Sequence, residues 1–318
     1  MRDFNEVQIM QNWKGDVAEP VVSICCLTYN HKDYIEQAID GFLMQETDFP
    51  FEILIHDDAS TDGTKEIIKH YEKLYPNIIK TVIQKENYYS QGGRFMIARF
   101  LLLKAKGKYI ALCEGDDLWI STNKLYKQFM FMEKNSEYAF CFHDVKQQND
   151  TKNKTSYSAY SKVRANTLYF EDILKEHFVP TLSLFFRKIF LPLNIPSYEK
   201  KISSGDIFME LMLAYRGPAY YFDEVMGVYR HHDGGVTKKW SLIDNLENIS
   251  NLYSEINKLT VGKFSKLINK KMSDIYFWYS KLFFMNADLK NSFYCMYKAH
   301  LKNPKVSALY VKEKLCRN

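Results

Sequence analysis

Long apolar runs are absent from this chain of 318 residues. A membrane-spanning helix needs about 18 or more consecutive apolar residues, and no stretch approaches that length. Residues 1–16 mix charged and apolar side chains and lack the apolar core of a secretory signal. We therefore expect no spanning helix and no signal peptide. The expected location is the cytoplasm, with peripheral contact at the inner face of the cytoplasmic membrane as an option.

Metal-binding cysteine patterns and phosphate-binding glycine loops are also missing. The six cysteines form no C-x-x-C pair and no Cys/His spacing of a zinc site, which fits a reducing cytoplasm. No glycine-rich loop has the spacing that cradles phosphates, and Gly92-Gly93 does not supply it. If a nucleotide diphosphate binds here, its charge must be met mainly by a metal ion.

Charge of one sign is concentrated at one end of the chain. Residues 257–318 contain 13 Lys and Arg against 3 Asp and Glu, whereas the whole chain has a net charge of only +5. Such a basic region suggests an anionic partner, and we expect membrane lipid and no nucleic acid. A solvated helical face packed on the rest of the protein explains the same pattern, and both interpretations stay open.

Apolar strand-like runs alternate with helical patterns over the first half of the chain. The runs cover residues 21–27, 51–56, 78–84 and 109–113, and helical spacing follows the first, second and third of them. This alternation predicts an α/β protein with a mostly parallel sheet flanked by helices. Residues 144–166 are polar and predict a loop, and the chain from residue 241 onward predicts helices.

Three of the predicted strands end in polar patches. These are Thr28-Tyr29-Asn30, Asp57-Asp58 and Glu114-Gly115-Asp116-Asp117. Parallel sheets bind ligands outside the carboxyl ends of their strands, and carboxylate oxygens suit Mg²⁺ or Mn²⁺. The patches therefore predict a metal–diphosphate site. The alternative is that the aspartates merely cap the following helices.

Several other polar residues have both a structural and a functional interpretation. Asp206 follows Gly205 at the start of a predicted helix, where it is either an N-cap or a general base. His231 and His232 end a predicted strand and are either structural or contacts to metal or phosphate. Arg94 and Arg99 are either solvated charges or partners of a diphosphate.

Taken in order, these pieces resemble family 2 glycosyltransferases, inverting enzymes of the GT-A fold. The resemblance runs from about residue 21 to 237 and rests on residues 22–30, 56–64 and 105–119, on Gly205-Asp206, and on residues 228–232. The subset it resembles is that of bacterial enzymes that build capsule, lipopolysaccharide or other surface glycans. It implies an N-terminal extension (1–20), a GT-A catalytic domain (21–240) and a helical basic C-terminal region (241–318).

The resemblance also implies roles for individual residues. Glu114-Gly115-Asp116 takes the place of the DXD motif, with Asp116 holding Mn²⁺ or Mg²⁺ on the donor diphosphate. Asp206 is the implied catalytic base, and His232, or failing that His231, an implied metal or phosphate contact. The residues implied to line the base and ribose pocket are Leu27, Thr28, Tyr29 and Asp58.

Two departures from the family pattern bear on these roles. Glu114 stands where the family more often has aspartate, so its role beside the metal or ribose is less firmly implied. Neither Arg94 nor Arg99 is in register with the family's arginine.

The implied function is metal-dependent, inverting transfer of a sugar from a nucleotide-sugar donor, by expectation a UDP-sugar. The implied acceptor is a hydroxyl of a saccharide or a lipid-linked glycan. Two alternatives stay open at this point. One is a nucleotidyltransferase of similar fold, and the other is a non-catalytic module that binds glycans or nucleotides.

Overall fold

The computed structural model describes residues 5–149, 154–156, 165–176, 179–191, 202, 204–232 and 241–305. The chain divides into two compact units. The first comprises residues 1–173, 177–200 and 209–235, and the second comprises residues 174–176, 201–208 and 236–318. The domain boundaries drawn from the sequence stay predictions.

The first half of the chain has the predicted alternation of strands and helices. A short helix precedes it, and the helical pattern predicted after the third apolar run is a six-residue π-helix, Ile97–Leu102. The elements are α1 (Glu6–Met10), β1 (Val22–Thr28), α2 (Ile35–Leu43), β2 (Phe51–Asp57), α3 (Thr64–Leu74), β3 (Ile79–Ile83) and β4 (Tyr109–Leu112).

The middle of the chain differs from prediction at one place. The loop predicted over 144–166 is wrong in its first part, because β6 extends to Asn149 and pairs with both β7 and β10. Residues 150–153 and 157–164 of that loop lie outside the described residues. The elements here are β5 (Leu118–Trp119), α4 (Lys124–Lys134), β6 (Phe140–Asn149), β7 (Lys154–Ser156), β8 (Thr167–Leu168), α5 (Phe170–Lys175), β9 (Phe185–Arg187), α6 (Gly205–Arg216) and β10 (Ala219–His231).

Among the residues described, one sheet of ten strands organises the first unit. Its main path runs β3-β2-β1-β4-β9-β6-β10-β5, with β7 beside β6 and β8 beside β10. The ladders joining β1 to β2, β1 to β4, β2 to β3 and β6 to β10 are parallel and longer than any antiparallel ladder of the sheet. The predicted mostly parallel α/β fold is thus confirmed, and β1, β2 and β4 lie side by side with their carboxyl ends at one edge.

The core of the first unit explains why these segments form strands. β2 is buried along its whole length and β1 nearly so, as expected for parallel strands covered on both faces. Trp119 is fully buried against Phe42, with ring centroids 4.9 Å apart, and its indole N–H donates to the Leu182 carbonyl at 2.7 Å. Each large apolar side chain buried in this way contributes roughly 1.5–3 kcal/mol of transfer free energy.

The second unit carries the predicted C-terminal helices, which are α7 (Leu242–Leu259), α8 (Ser265–Met285) and α9 (Leu289–Lys302). Ser241 and Asp288 begin α7 and α9 by accepting backbone N–H bonds from Asp244 and Asn291, each at 3.1 Å. Within the residues described, no helix combines the length and apolar character that crossing a membrane requires.

Candidate functional site

The three polar strand ends meet at one edge of the sheet, as the sequence predicted. The Asp58 amide donates to the Thr28 carbonyl at 3.0 Å, which joins the ends of β2 and β1. The Gly115 amide donates to the Leu27 carbonyl at 2.8 Å, which joins the segment after β4 to β1. The arrangement follows from the parallel register, because β1 pairs with both neighbours in the same direction.

Asp116 is the centre of a three-residue cluster at this edge. Its Oδ2 lies 2.9 Å from Nε2 of His232, at the end of β10, and 3.5 Å from Nε2 of His31, which follows β1. One ligand atom from each residue lies within 4.8 Å of the other two. The side chains of His31 and His232 are 15% and 11% exposed, so the cluster is largely shielded from water.

Burial and mutual contacts set the charge state of this cluster. Burial lowers the pKa of His31, against the opposing pull of the Asp116 carboxylate. Burial alone would raise the pKa of Asp116, but the His232 hydrogen bond and the two neighbouring imidazoles hold that pKa below its usual value. An ionised carboxylate beside imidazole nitrogens is the state in which such side chains can bind a metal ion.

Asp117 has a different role from the one its sequence position suggested. The alternative that it starts the next helix is wrong, because β5 follows it and α4 begins only at Lys124. Asp117 is instead buried and accepts the Arg230 backbone N–H at 2.9 Å. Burial, reinforced by the Asp116 charge, raises the pKa of Asp117 well above its usual value, and Arg230 opposes that rise.

Arg230 ties the carboxylate loop to the rest of the edge. Its guanidinium donates to the Asp116 carbonyl at 3.2 Å and also to the Gln37 side chain, and it lies 5.4 Å from the Tyr34 ring centroid. The residue is 7% exposed. One arginine therefore fixes the backbone of Asp116 through its guanidinium and the side chain of Asp117 through its own backbone N–H.

Gly115, next to Asp116 in the chain, packs tightly against Thr28. A Cβ on Gly115 would lie 2.9 Å from Thr28 Oγ1 and from Ile35 Cδ1, closer than real Cβ contacts allow. Thr28 is 3% exposed, and its hydroxyl has no hydrogen-bond partner in the part of the chain that the structure describes. Of the other residues implied to line the nucleotide pocket, Leu27 is half-buried and Tyr29 is 41% exposed.

Asp57 and Asp58 are occupied by donors from the protein itself. Asp57 accepts the Ser60 backbone N–H at 3.0 Å and the Ser60 hydroxyl. The Asp58 carboxylate accepts the N–H groups of Tyr88 and Tyr89, at 2.8 and 3.0 Å. Asp58 therefore orders the turn after β3, and its contact with a nucleotide stays a prediction.

Arg94 and Arg99 lie against that same turn. The Arg94 guanidinium donates to the carbonyls of Tyr89 and Gly93, at 3.2 and 2.6 Å, and lies 4.2 Å from the Tyr89 ring centroid. Arg99 lies 5.3 Å from the Tyr88 ring centroid. The two arginines thus contact the same turn that Asp58 orders. Their contact with a diphosphate stays a prediction.

The remaining predicted residues are not part of the three-residue cluster. Glu114 is half-buried, and its carbonyl accepts the Asp117 N–H at 3.1 Å. His231 points elsewhere, with Nε2 3.4 Å from the Gln147 side-chain oxygen. Asp206 is exposed in the first turn of α6 and belongs to the second unit. Their metal-binding and catalytic roles stay predictions.

The donor set of the cluster fits a divalent transition ion. A carboxylate with two imidazoles suits Mn²⁺ better than Mg²⁺, which prefers oxygen ligands. His31 was not among the candidate ligands in the sequence, although its place directly after a polar strand end was a usable signal. Arg230 was likewise missed, because its contacts depend on the distant residues that surround it.

Known proteins similar in sequence support a family assignment. The family model of Glycosyl transferase family 2 matches residues 23–191. The uncharacterized protein Rv1520 of Mycobacterium tuberculosis is 34% identical over 218 residues, which are 68% of this chain and 60% of that protein. The putative teichuronic acid biosynthesis glycosyltransferase TuaG of Bacillus subtilis is 30% identical over 73% of this chain and 85% of its own length.

Solved structures show the same fold at low sequence identity. Staphylococcus aureus TarS 1–349 in complex with UDP-GlcNAc matches with a TM-score of 0.60 at 16% identity, over 88% of this chain and 91% of that one. The mannosyltransferase PcManGT from Pyrobaculum calidifontis, in complex with GDP-Man and Mn²⁺, matches with a TM-score of 0.54 at 14% identity, over 98% and 87%. The predicted GT-A fold is thereby confirmed.

Proposed function

Since the chain belongs to glycosyltransferase family 2, we propose that it transfers a sugar from a nucleoside-diphosphate sugar to an acceptor hydroxyl. The observation that carries the proposal is the Asp116 cluster at the carboxyl ends of the parallel strands, where such sheets bind ligands. Family membership favours sugar transfer over nucleotidyl transfer. The chain spans about 60% of the length of the Mycobacterium relatives, so its activity as a whole protein is part of the proposal.

The donor is proposed to be a UDP-sugar held with Mn²⁺ or Mg²⁺. TarS in its solved complex binds UDP-GlcNAc, and PcManGT binds GDP-Man with Mn²⁺. In the proposed site Asp116 and His232 hold the ion, with Glu114 as an additional oxygen donor. A bound divalent ion supplies a Lewis acid that offsets the charge of the leaving diphosphate.

The nucleotide would lie along the edge formed by the ends of β1 and β2. Gly115 packs there against the side chains of Thr28 and Ile35, where a Cβ would clash, so the segment after β4 stays close to the end of β1. Leu27, Tyr29 and Asp58 border this edge, and Arg94 and Arg99 add positive charge at the neighbouring turn.

Asp206 is proposed to be the catalytic base of an inverting, single-displacement reaction. A carboxylate can take the acceptor hydroxyl proton as that oxygen attacks the anomeric carbon, provided it lies within hydrogen-bond reach. Attack from the face opposite the leaving diphosphate inverts the anomeric configuration. Asp206 is exposed and so is accessible to an acceptor.

The acceptor is proposed to be a saccharide or lipid-linked glycan in bacterial surface-glycan synthesis, reached at the inner face of the cytoplasmic membrane. TuaG is named for teichuronic acid biosynthesis. WfaP of Escherichia coli, 40% identical over 36% of this chain and 41% of its own length, is named as a glucosyltransferase acting on GlcNAc-diphosphoundecaprenol.

An exposed stripe on α9 supports membrane contact. Leu289, Phe293, Tyr297 and Leu301 recur every four residues, which places them along one side of the helix, and each is more than half exposed. The same helix carries Lys290, Lys298 and Lys302. Apolar side chains flanked by lysines are typical of helices that lie on an anionic membrane.

Vesicle sedimentation tests this contact. The intact protein should bind vesicles that contain phosphatidylglycerol and bind neutral phosphatidylcholine vesicles less. Replacing Phe293 and Tyr297 with serine should weaken binding, whereas the control Ile189→Ser, at a still more exposed apolar residue of the first unit, should not. No binding by the intact protein would remove the membrane from the proposal.

The activity itself is tested with a panel of nucleotide sugars and Mn²⁺ or Mg²⁺. The protein should release nucleoside diphosphate from one donor, and Asp206→Asn should keep donor affinity while transfer collapses. Release of pyrophosphate from a nucleoside triphosphate and a sugar phosphate would identify a nucleotidyltransferase instead. Full transfer by Asp206→Asn would remove Asp206 from its role.

A further inference from the structure

We propose that His31 is a third protein ligand of the metal ion, beside Asp116 and His232. Even without Glu114, the set of one carboxylate and two imidazoles binds Mn²⁺ before any nucleotide arrives and prefers it to Mg²⁺. The inference rests on the proposed function only in that the ion is taken to serve sugar transfer.

The spacing of the three ligand atoms matches a shared ion. Two ligands at about 2.1 Å from one six-coordinate ion lie about 3 Å apart when adjacent and about 4.2 Å apart when opposite. Asp116 Oδ2 lies 2.9 Å from Nε2 of His232 and 3.5 Å from Nε2 of His31. Both distances fall within or close to that range, and the three ligand atoms all lie within 4.8 Å of one another.

Only one ring nitrogen of His31 faces a polar group. Nε2 points at Asp116, whereas Nδ1 is buried and without a hydrogen-bond partner among the residues described. Both ring nitrogens of a buried imidazole need partners, so a histidine that only filled space would be unfavourable here. The orientation of Nε2 toward Asp116 is the one expected of a metal ligand.

The backbone holds His31 in place without using its side chain. Its amide donates to Thr64 Oγ1 at 2.9 Å, and its carbonyl accepts the N–H groups of Tyr34 and Ile35 at 2.9 and 2.8 Å. Asn30, in the left-handed region at φ 55°, turns the chain just before it. Such prior ordering lowers the cost of binding an ion.

Neighbouring contacts hold Asn30 as well. Its amide donates to Ser60 Oγ at 2.9 Å, and its side-chain oxygen accepts the Thr61 N–H at 2.8 Å. The loop after β1 is thus attached to the loop after β2 at several points. His31 therefore approaches Asp116 from a fixed support.

Three protein ligands change how the ion is acquired. A Mg²⁺ site usually has one or two carboxylates and depends on substrate phosphates for further ligands. A set with two imidazoles has affinity of its own and favours a transition ion over Mg²⁺. It also leaves coordination positions for diphosphate oxygens, so the ion can be in place when the donor binds.

Mn²⁺ titration of the nucleotide-free protein, followed by the electron paramagnetic resonance signal of free Mn²⁺, tests the proposal. The wild-type protein should bind one Mn²⁺, with Mg²⁺ competing weakly. His31→Ala should loosen Mn²⁺ by at least about tenfold, since even losing an outer partner of a ligand costs 10- to 100-fold. The matched control His70→Ala removes an exposed imidazole of α3 and should bind as wild type.

Two further measurements separate ligation from a structural effect. Pulsed resonance spectra of bound Mn²⁺ should show coordinated imidazole nitrogen, and its contribution should fall in His31→Ala. His31→Glu replaces the nitrogen with an oxygen and should improve Mg²⁺ competition relative to wild type. Unchanged Mn²⁺ affinity in His31→Ala, or no Mn²⁺ binding to the nucleotide-free wild type, would overturn the proposal.

The same experiment distinguishes failure of this inference from failure of the proposed function. If His31→Ala binds Mn²⁺ like wild type while the wild type transfers sugar, only the inference is wrong. If Mn²⁺ binding depends on His31 but no nucleotide sugar is turned over, the metal site stands and the proposed function is wrong.

Discussion

Two parallel strands on either side of β1 each lead into a pair of aspartates, and the structure uses the two pairs differently. Asp57 and Asp58 are buried and accept hydrogen bonds from Ser60, Tyr88 and Tyr89. Asp116 is 22% exposed and faces imidazoles instead. A carboxylate that accepts hydrogen bonds from nearby loop residues orders those loops. A carboxylate that faces imidazoles instead can bind a metal ion together with them.

The difference arises within the second pair as well. Asp117 is turned inward to the Arg230 backbone, and Asp116 is turned outward to His31 and His232. Adjacent residues at a strand end can thus have opposite electrostatics, with the pKa raised by burial in one and lowered by its partners in the other.

The largest expected effect is on activity, from Asp116→Asn. The change removes the anionic ligand while keeping the shape of the side chain, so transfer should fall by roughly 10²- to 10³-fold, the scale seen when one electrostatic stabiliser is removed. Initial rates of nucleoside diphosphate release measure it, with circular dichroism as the check on folding. Wild-type rates in a folded variant would contradict the claim that Asp116, unlike Asp57 and Asp58, binds the metal ion.

Asp58→Asn should act on stability instead. An amide can accept only one of the two backbone N–H bonds and presents its own N–H to the other, so the free energy of unfolding should fall by about 2 kcal/mol. Urea denaturation measures that loss. Mn²⁺ affinity without nucleotide should be unchanged, and loss of both properties together would mean that the two strand ends act as one.

Asp117→Asn should raise the free energy of unfolding, whereas Asp58→Asn lowers it. Because burial raises the pKa of Asp117 above the ordinary 3.8, its contribution to stability is present below that pH and is lost as pH rises through the folded-state pKa. The amide keeps the bond from Arg230 and does not ionise, so the variant should be more stable than wild type near pH 7. Urea denaturation across pH 4–8 checks this, and a steeper loss than wild type would contradict it.

The smallest effect is expected from Asn30→Gly. Glycine tolerates the left-handed backbone but loses the bond to Thr61, so the cost should be about 0.5 kcal/mol. Asn30→Ala should cost more, because alanine also strains the positive φ. Thermal unfolding of the two variants measures the difference, and a larger loss in the glycine variant would contradict this account of the turn.

Sequence periodicity predicted the parallel strands and the edge where Asp58, Asp116 and the Thr28 segment meet, because apolar runs and parallel pairing determine which ends are neighbours. The family resemblance implied His232 as a metal or phosphate contact; that role stays a prediction, and His232 Nε2 lies 2.9 Å from Asp116 Oδ2. The direction of a side chain at a strand end is not periodic, and for that reason Asp117 was misjudged as a helix start.

The features that the sequence did not predict depend on contacts between distant parts of the chain. His31 joins the cluster because Asn30 adopts a left-handed turn fixed by Ser60 and Thr61, which no local pattern reveals. The extension of β6 through a polar stretch likewise depends on its parallel partner β10 rather than on its own composition.

Calorimetric titration of UDP and GDP into the protein, with and without Mn²⁺, tests the central claim that the Asp116 edge is a metal–diphosphate site. We predict that wild type binds one of the two nucleotides, and only when Mn²⁺ is present. Asp116→Asn should bind neither nucleotide, with or without Mn²⁺. Metal-independent binding, or equal affinity in Asp116→Asn, would contradict the account.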